Sequence, residues 1–352
     1  MSVVTPCYNA EPFVGETIRS VLAQSYAPVE LVVVDDASSD GSREVVRGYA
    51  EAHPERVRPV FLERNGGGSH ARNRGAEVAR GEFLMFLDAD DVIAPDTLAA
   101  LVEAVRDRPG CIAICGWRRL RQVDGVWTEA PAEVPLPAPG ADPLRGWLEG
   151  VWVPPCAVLW RRDVYERTGG WDEQLTSLDD ADLMMGALAE GARLMLAEGG
   201  QSYYRLHEDE DRISLSRNVF SEAKLRSRVR VLEKLAAKLE KSGSLAAYAA
   251  PIGAGYHELA ALGFLQKQTD FARECLRRAE HYAGPRAASA VALGRTLPGR
   301  LLSRLLGVER KEKVVAGLAR LGIATPERRR FTEFCKLHAA GGDGSAGGRG
   351  HG

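Results

Sequence analysis

The first 218 residues of this 352-residue chain contain no lysine. Their 22 arginines face 36 acidic residues, whereas residues 219–352 carry 24 basic and 12 acidic residues. A formal net charge of −2 therefore conceals an acidic part near −14 and a basic part near +12. Aromatic residues are few, at 7%, and no nucleic-acid-binding motif accompanies the basic part, which argues against a nucleic-acid partner. No apolar run approaches the ~18 to 20 residues needed to cross a bilayer. The chain passes from Met1 straight into a short apolar run, without the basic region and cleavage site of a secretory leader. A cytoplasmic protein is expected. Cysteine is scarce as well: the six (7, 111, 115, 156, 275, 335) are irregularly spaced, and the close pair Cys111 and Cys115 lacks the second half of a zinc site. Reduced, mostly buried thiols are expected. With 45% apolar and 27% charged residues, the chain has enough material for large cores and is too apolar for disorder.

What is present begins with an alternation. Short β-branched runs (2–5, 30–34, 57–62, 83–87) are each followed by a longer amphipathic stretch (13–24, 39–50, 69–79, 95–105). Such alternation with short connections predicts an α/β domain, a mostly parallel sheet flanked by helices. Ser38, Ser39 and Asp40 are placed to cap the second helix, and Pro95-Asp96 opens the fourth. Beyond Gly116 the pattern predicts a hairpin around Asp124-Gly125 and an exposed Pro- and Ala-rich loop over 130–143. A strand at 153–160, helices at 162–167 and 179–190, and two closing strands at 193–196 and 202–206 follow. After Asn218 only helical stretches remain (220–241, 245–265, 271–282, 297–306, 311–321, 326–338), then a Gly-rich tail. The expected organisation is an α/β domain over 1–218, with halves of about 1–115 and 116–218, a basic helical domain over 219–338, and a flexible tail over 339–352.

Acidic residues recur just beyond the apolar runs. Leu87-Asp88-Ala89-Asp90-Asp91 follows a buried strand and places three acids at its C-terminal end, where open α/β sheets bind ligands. Magnesium or manganese would relieve their repulsion and bridge to phosphate oxygens; the alternative is a solvated turn capping the next helix. Asp36, after Val32-Val33-Val34-Asp35, is not needed for capping and is free to accept from a base N–H or a ribose hydroxyl. The glycines of Asn65-Gly66-Gly67-Gly68 allow backbone to approach a ligand, and Arg72 adds a positive charge nearby; otherwise the segment is a simple connection with a surface arginine. His70 is read as neither base nor ligand.

Together Ser2-Val3-Val4-Thr5-Pro6-Cys7-Tyr8-Asn9, Val33 through Asp40, Asn65 through Gly75, Phe86 through Asp91 and Gly169-Gly170-Trp171-Asp172 are similar in order and spacing to the motifs of family 2 glycosyltransferases, over about residues 1–218. The resemblance implies a GT-A fold and transfer, with inversion, of a sugar from a nucleotide-diphosphate sugar, UDP-sugar foremost, in envelope polysaccharide, glycolipid or natural-product glycosylation. It implies that Pro6, Tyr8, Glu11, Asp36 and Arg72 line the nucleotide-sugar site, with Asp88 near ribose and metal and Asp90 a ligand of Mg or Mn. Asp180 takes the place of the family's catalytic base, an assignment that competes with simple helix-dipole complementarity in this Asp179-Asp180-Ala181-Asp182 turn. Asp179 stands where the family commonly has Glu. Gly170 and Trp171 resemble the acceptor loop, with Trp171 a platform for a sugar ring; read alone, they are a helix stop with a buried indole. His207, in Tyr204-Arg205-Leu206-His207, is either a metal ligand closing over the diphosphate or an ordinary surface residue. Two other classes compete: a catalytically silent nucleotide-sugar-binding module, and a nucleotidyltransferase, whose Gly-rich basic signature is absent from Thr5–Glu11.

Beyond 218 the amphipathic basic stretches, Arg226 to Lys241 and 297–310, suit either an anionic membrane surface or a helical bundle packed on the catalytic part or on a second copy of the chain. A carbohydrate, lipid-linked or small-molecule acceptor is expected.

Overall fold

A computed structural model describes residues 1–130, 136, 140–206, 221–266 and 268–292. The strands are β1 (Ser2–Cys7), β2 (Glu30–Asp35), β3 (Val57–Phe61), β4 (Phe83–Phe86), β5 (Val92–Ile93), β6 (Cys111–Val123), β7 (Val126–Ala130), β8 (Val158–Arg161) and β9 (Arg193–Leu206). The helices are α1 (Glu11–Leu22), α2 (Ser42–Ala52), α3 (Gly68–Val78), α4 (Thr97–Val105), α5 (Pro143–Leu148), α6 (Arg162–Thr168), α7 (Asp179–Ala189), α8 (Glu222–Lys241), α9 (Leu245–Leu265) and α10 (Thr269–Ala292).

One mixed sheet runs β3-β2-β1-β4-β8-β6-β9-β5, with β7 paired to β6. β1, β2, β3 and β4 are mutually parallel where they pair, and β8 joins β4 in the antiparallel sense. Strands covered on both faces need continuous apolar sequence, and Leu31 to Val34 and Phe83 to Phe86 are all buried. The chain adds β2 and β3 on one side of β1 and then crosses to place β4 on the other. The C-terminal ends of β1 and β4 thus flank the switch in strand order, where such sheets open a ligand crevice.

Gly75 explains how close α3 lies to that crevice. A Cβ at Gly75 would stand 2.3 Å from Val4 Cγ1 and 3.0 Å from Val34 Cγ2, so the helix rests directly on β1 and β2. Gly75→Ala should destabilise the fold by about 1–3 kcal/mol, the usual cost of overpacking; a thermal midpoint equal to the parent's would contradict this packing.

The expected hairpin turns at Asp124 (φ 51) and Gly125 (φ 78), positive values suited to a tight two-residue turn. The expected strand at 153–160 begins only at Val158, because Pro154 and Pro155 lack ladder donors and the chain makes a single 3₁₀ turn over Pro155–Ala157. The two expected closing strands are one, β9, which pairs with β6 through an irregularity opposite Ile114 to Gly116 and carries left-handed Gly199 and Gly200. Cys7, Cys111, Cys115, Cys156 and Cys275 are free and buried.

α8 packs its Leu225, Val231, Leu232, Leu235 and Leu239 face inward and lies on α7; α9 packs on α8 and α10. The helix expected at 271–282 is longer, with non-helical Gly284 (φ 71) kinking it. No helix among the described residues is long and apolar enough to cross a membrane. The expected helices over 297–338 and the tail lie outside the described residues.

Candidate active site

Two loops are knotted together at the C-terminal ends of β1 and β2. The Glu11 amide donates to Asp40 Oδ2 at 3.0 Å and the Gly41 amide returns a bond to Glu11 Oε2 at 2.9 Å. Asn9 N–H donates to Ser38 Oγ and Ala10 N–H to Ser42 Oγ, so Ser38 ties the loop after β1 to the loop after β2 rather than capping α2. Asp40 serves the α2 start by accepting from Ser42 N–H. Asn9 (φ 48) and Ala37 (φ 61) sit in the left-handed region, where non-glycine residues cost energy and recur at functional sites. This knot leaves Pro6 half-buried and Tyr8 at 38% exposure on the crevice side of β1.

Asp36 is 2% exposed, and its two oxygens accept from the amides of Gly66 (2.9 Å) and Gly67 (2.8 Å). It therefore fixes the glycine turn that opens α3, a role the sequence alone did not suggest. The turn requires glycine at 67, whose φ is +90.

Asp88 and Asp90 follow β4. Asp91 turns inward: its Oδ1 accepts the Arg205 amide at 2.9 Å, and burial with the nearby Asp90 and Asp88 charges pushes its carboxyl well above the usual carboxylate range. Burial also raises Asp88, Arg72 opposes that shift, and Asp90 adds to it. Arg205 supports the loop from beneath, donating to Asp90 O at 2.8 Å and to Glu16 Oε2 at 2.5 Å. Among the described residues no cluster of three His, Cys, Asp or Glu is arranged to hold a metal. Two crowded carboxylates still match the donors Mg or Mn uses when substrate phosphates complete the shell. His207 lies outside the described residues.

Arg72 joins the two halves of the site. Its side chain, 11% exposed, reaches Asp88 Oδ1 at 2.6 Å and Asp179 Oδ2 at 3.3 Å, and its guanidinium lies 4.5 Å from the Trp171 ring. Asp179 Oδ2 also accepts from Ser69 Oγ at 2.9 Å, so this carboxylate ties the start of α7 to the start of α3. Trp171 is 4% exposed and packs edge-on against Phe86 at 5.1 Å. Of the two readings of Trp171, platform or buried indole, the buried one is found: the ring is a wall that backs Arg72. Gly170 (φ 81) has no room for a side chain, since a Cβ would lie 2.9 Å from Asn73 Oδ1. Asn73 holds this loop by accepting from Trp171 N–H and donating to Trp171 O and Glu173, while His70 Nδ1 meets Glu173 at 3.0 Å.

Asp180 opens α7 behind Leu178, another left-handed non-glycine residue (φ 58). Trp152 Nε1 donates to its Oδ2 at 2.5 Å, and the Ala181 amide to its Oδ1 at 2.8 Å. Burial, reinforced by Asp179, outweighs these bonds and pushes its carboxyl up to about 6. That value suits a group that must give and take a proton near neutrality. Trp152 is itself held between Trp117 and Tyr204, each 5.4 Å away edge-on. Trp152, Arg205 and Asn73 are the residues that sequence reasoning missed as site members. Asn73 and Arg205 stood inside recognised motifs, whereas Trp152 followed a loop with no motif at all.

Part of the basic face of α8 meets acidic residues of the catalytic part. Arg230 reaches Asp172 at 3.0 Å, Lys234 reaches Asp172 at 2.9 Å and Asp182 at 2.5 Å, and Lys238 pairs with Glu190. Arg226 pairs along its own helix with Glu222, and Arg228 is buried. These contacts are the ones the packing reading of this helix expects. The stretch 297–310 lies outside the described residues.

The mixed, mostly parallel sheet flanked by helices is of the GT-A glycosyltransferase class, the fold of its solved structural neighbours. Residues 2–168 match the family described as Glycosyl transferase family 2. It is 35% identical over 150 residues to the putative teichuronic acid biosynthesis glycosyltransferase TuaG of Bacillus subtilis, covering 43% of this chain and 59% of that protein. The chain thus spans about three fifths of that relative's length. Its fold is similar to that of TarS 1-349 from S. aureus, crystallised with UDP (TM-score 0.63, 20% identity, 91% of each chain). It is also similar to the mannosyltransferase PcManGT from Pyrobaculum calidifontis in complex with GDP-Man and Mn2+ (TM-score 0.51, 22% identity, 96% of this chain and 85% of that one).

Proposed function

We propose that the chain transfers a sugar from a nucleoside-diphosphate sugar, a UDP-sugar foremost, to a hydroxyl of a polysaccharide or lipid-linked acceptor, by one in-line displacement with inversion. One observation carries this reading: Arg72 binds both Asp88 of the strand-end pair and Asp179, the neighbour of Asp180, which brings the donor-side acids and the base candidate around one guanidinium. The names of the relatives support a polysaccharide context. The neighbours' bound UDP and GDP-Man support a nucleotide-sugar donor.

In this mechanism Tyr8 and Pro6 flank the base at the end of β1, and the Glu11 and Asp36 loops form its floor. A divalent cation held by Asp90, with Asp88 and His207 beside it, would neutralise the diphosphate as it departs. Asp180 accepts the proton of the attacking hydroxyl as the new glycosidic C–O bond forms and the bond to the diphosphate oxygen breaks. Arg72 keeps Asp88 and Asp179 apart from mutual repulsion and holds α7 against the donor side.

Calorimetric titration with UDP, GDP and dTDP, each with Mn2+ and with EDTA, tests the donor site. Binding of one of them that weakens at least tenfold in EDTA is expected. Failure of all three to bind would overturn the reading, and binding without any turnover of sugar donors would favour the silent module instead.

A further inference from the structure

Lys234 supplies something residues 1–218 do not contain, a lysine side chain, and places its ammonium group between two carboxylates, Asp172 and Asp182. Asp172 follows Trp171 in the loop backing Arg72, and Asp182 stands two residues beyond Asp180 on α7. Both are largely buried, at 12% and 9% side-chain exposure, and would repel each other without a shared cation. A compact ammonium with three donors can bridge two acceptors that a planar guanidinium fork would not meet equally. Arg230 adds a second contact to Asp172 only. One turn further along, Lys238 pairs with Glu190 at the far end of α7, away from Asp180. The α8 register is fixed independently, by Ser227 Oγ accepting from the Thr176 amide at 2.9 Å and by Ser177 Oγ donating to Lys224 O at 3.1 Å.

From this geometry we infer that Lys234 is a positioning residue for the transfer reaction: it locks the Trp171 loop to the first turn of α7, making the basic helical region part of the acceptor side of the site. The inference deepens the proposed function and rests on Asp180 acting there as the base.

The test uses the full chain with Lys234→Met, Lys234→Arg and, as the matched control, Lys238→Met. Hydrolysis of UDP-, GDP- and dTDP-sugars is measured per calorimetrically counted UDP site, beside deuterium exchange of residues 169–182. Lys234→Met should lower kcat at least tenfold with the donor KM unchanged, and Lys234→Arg should restore part of it. Lys238→Met should lower thermal stability only. Raising NaCl from 50 to 500 mM should slow the parent and leave Lys234→Met unaffected, since a pair one-third exposed on the lysine side is screened. Exchange at 169–182 should quicken in Lys234→Met and stay unchanged in Lys238→Met. Equal kcat per site in Lys234→Met and the parent overturns the inference, as does equal exchange in the two methionine variants. A parent that hydrolyses no donor counts against the proposed function, and the exchange comparison then decides the positioning role by itself.

Discussion

Asp180→Asn should reduce glycosyl transfer by about 10²- to 10⁴-fold, the span expected when a general base is removed, with little change in donor KM or in folding. The amide replaces the carboxylate without change of volume, and its oxygen can keep the bond from Trp152 Nε1. Loss of a buried charge beside Asp179 removes repulsion, while the new NH2 gives up the bond from the Ala181 amide, so the two effects oppose and the stability change should be small. The pH profile provides a second reading of the same group. Burial, with help from Asp179, raises this carboxyl to about 6. The base works only when ionised, so kcat/KM should fall as pH drops through about 6. The groups facing Asp180 are Asp179, Arg72 and the Trp152 and Ala181 donors. Removing the indole donor in Trp152→Phe destabilises the carboxylate and should move the acid limb to higher pH. Full transfer in Asp180→Asn, or an acid limb unmoved in Trp152→Phe, would exclude Asp180 as the base.

The largest expected loss of stability follows Arg72→Met. The guanidinium is 11% exposed and neutralises two partly buried carboxylates, Asp88 at 26% and Asp179 at 27% side-chain exposure. Breaking a buried ion pair from one side leaves uncompensated charge and costs about 3–5 kcal/mol. For domains of 150–250 residues each kilocalorie lowers the midpoint by about 2–4 °C, so a fall of about 6 °C or more is expected. Removing one stranded charge should recover part of this: Arg72→Met with Asp179→Asn should be more stable than Arg72→Met alone, a coupling that a double-mutant cycle measures. Independent, additive effects would show that Arg72 does not join the two halves of the site.

Local chemistry explains which features were legible in the sequence. The α/β frame could be read because Leu31 to Val34 and Phe83 to Phe86 are apolar on both faces, a pattern only a covered strand requires. The acidic turns after β2 and β4 could be read because strand ends fix where such residues stand. Partnership was not legible. Asp36 faces Gly66 and Gly67, about thirty residues on, and Trp152 meets Asp180 from a loop broken by Pro154 and Pro155; only the folded chain sets those distances. Trp171 was not decidable from sequence because a glycine-flanked indole reads alike as platform or wall, and Phe86 and Arg72 decide between them. The charge asymmetry was visible at once, yet its use was not. Part of the excess of acid before residue 218 is met by Arg230, Lys234 and Lys238 of α8, so the basic helix completes the catalytic part from within the same chain.

Release of nucleoside diphosphate from a panel of UDP-, GDP- and dTDP-sugars, compared between the parent and Asp90→Asn in Mn2+ and in EDTA, tests the central claim most directly. Slow hydrolysis of at least one donor by the parent is predicted, lost in EDTA and reduced at least a hundredfold in Asp90→Asn. No release from any donor, or release that neither EDTA nor Asp90→Asn diminishes, would contradict it.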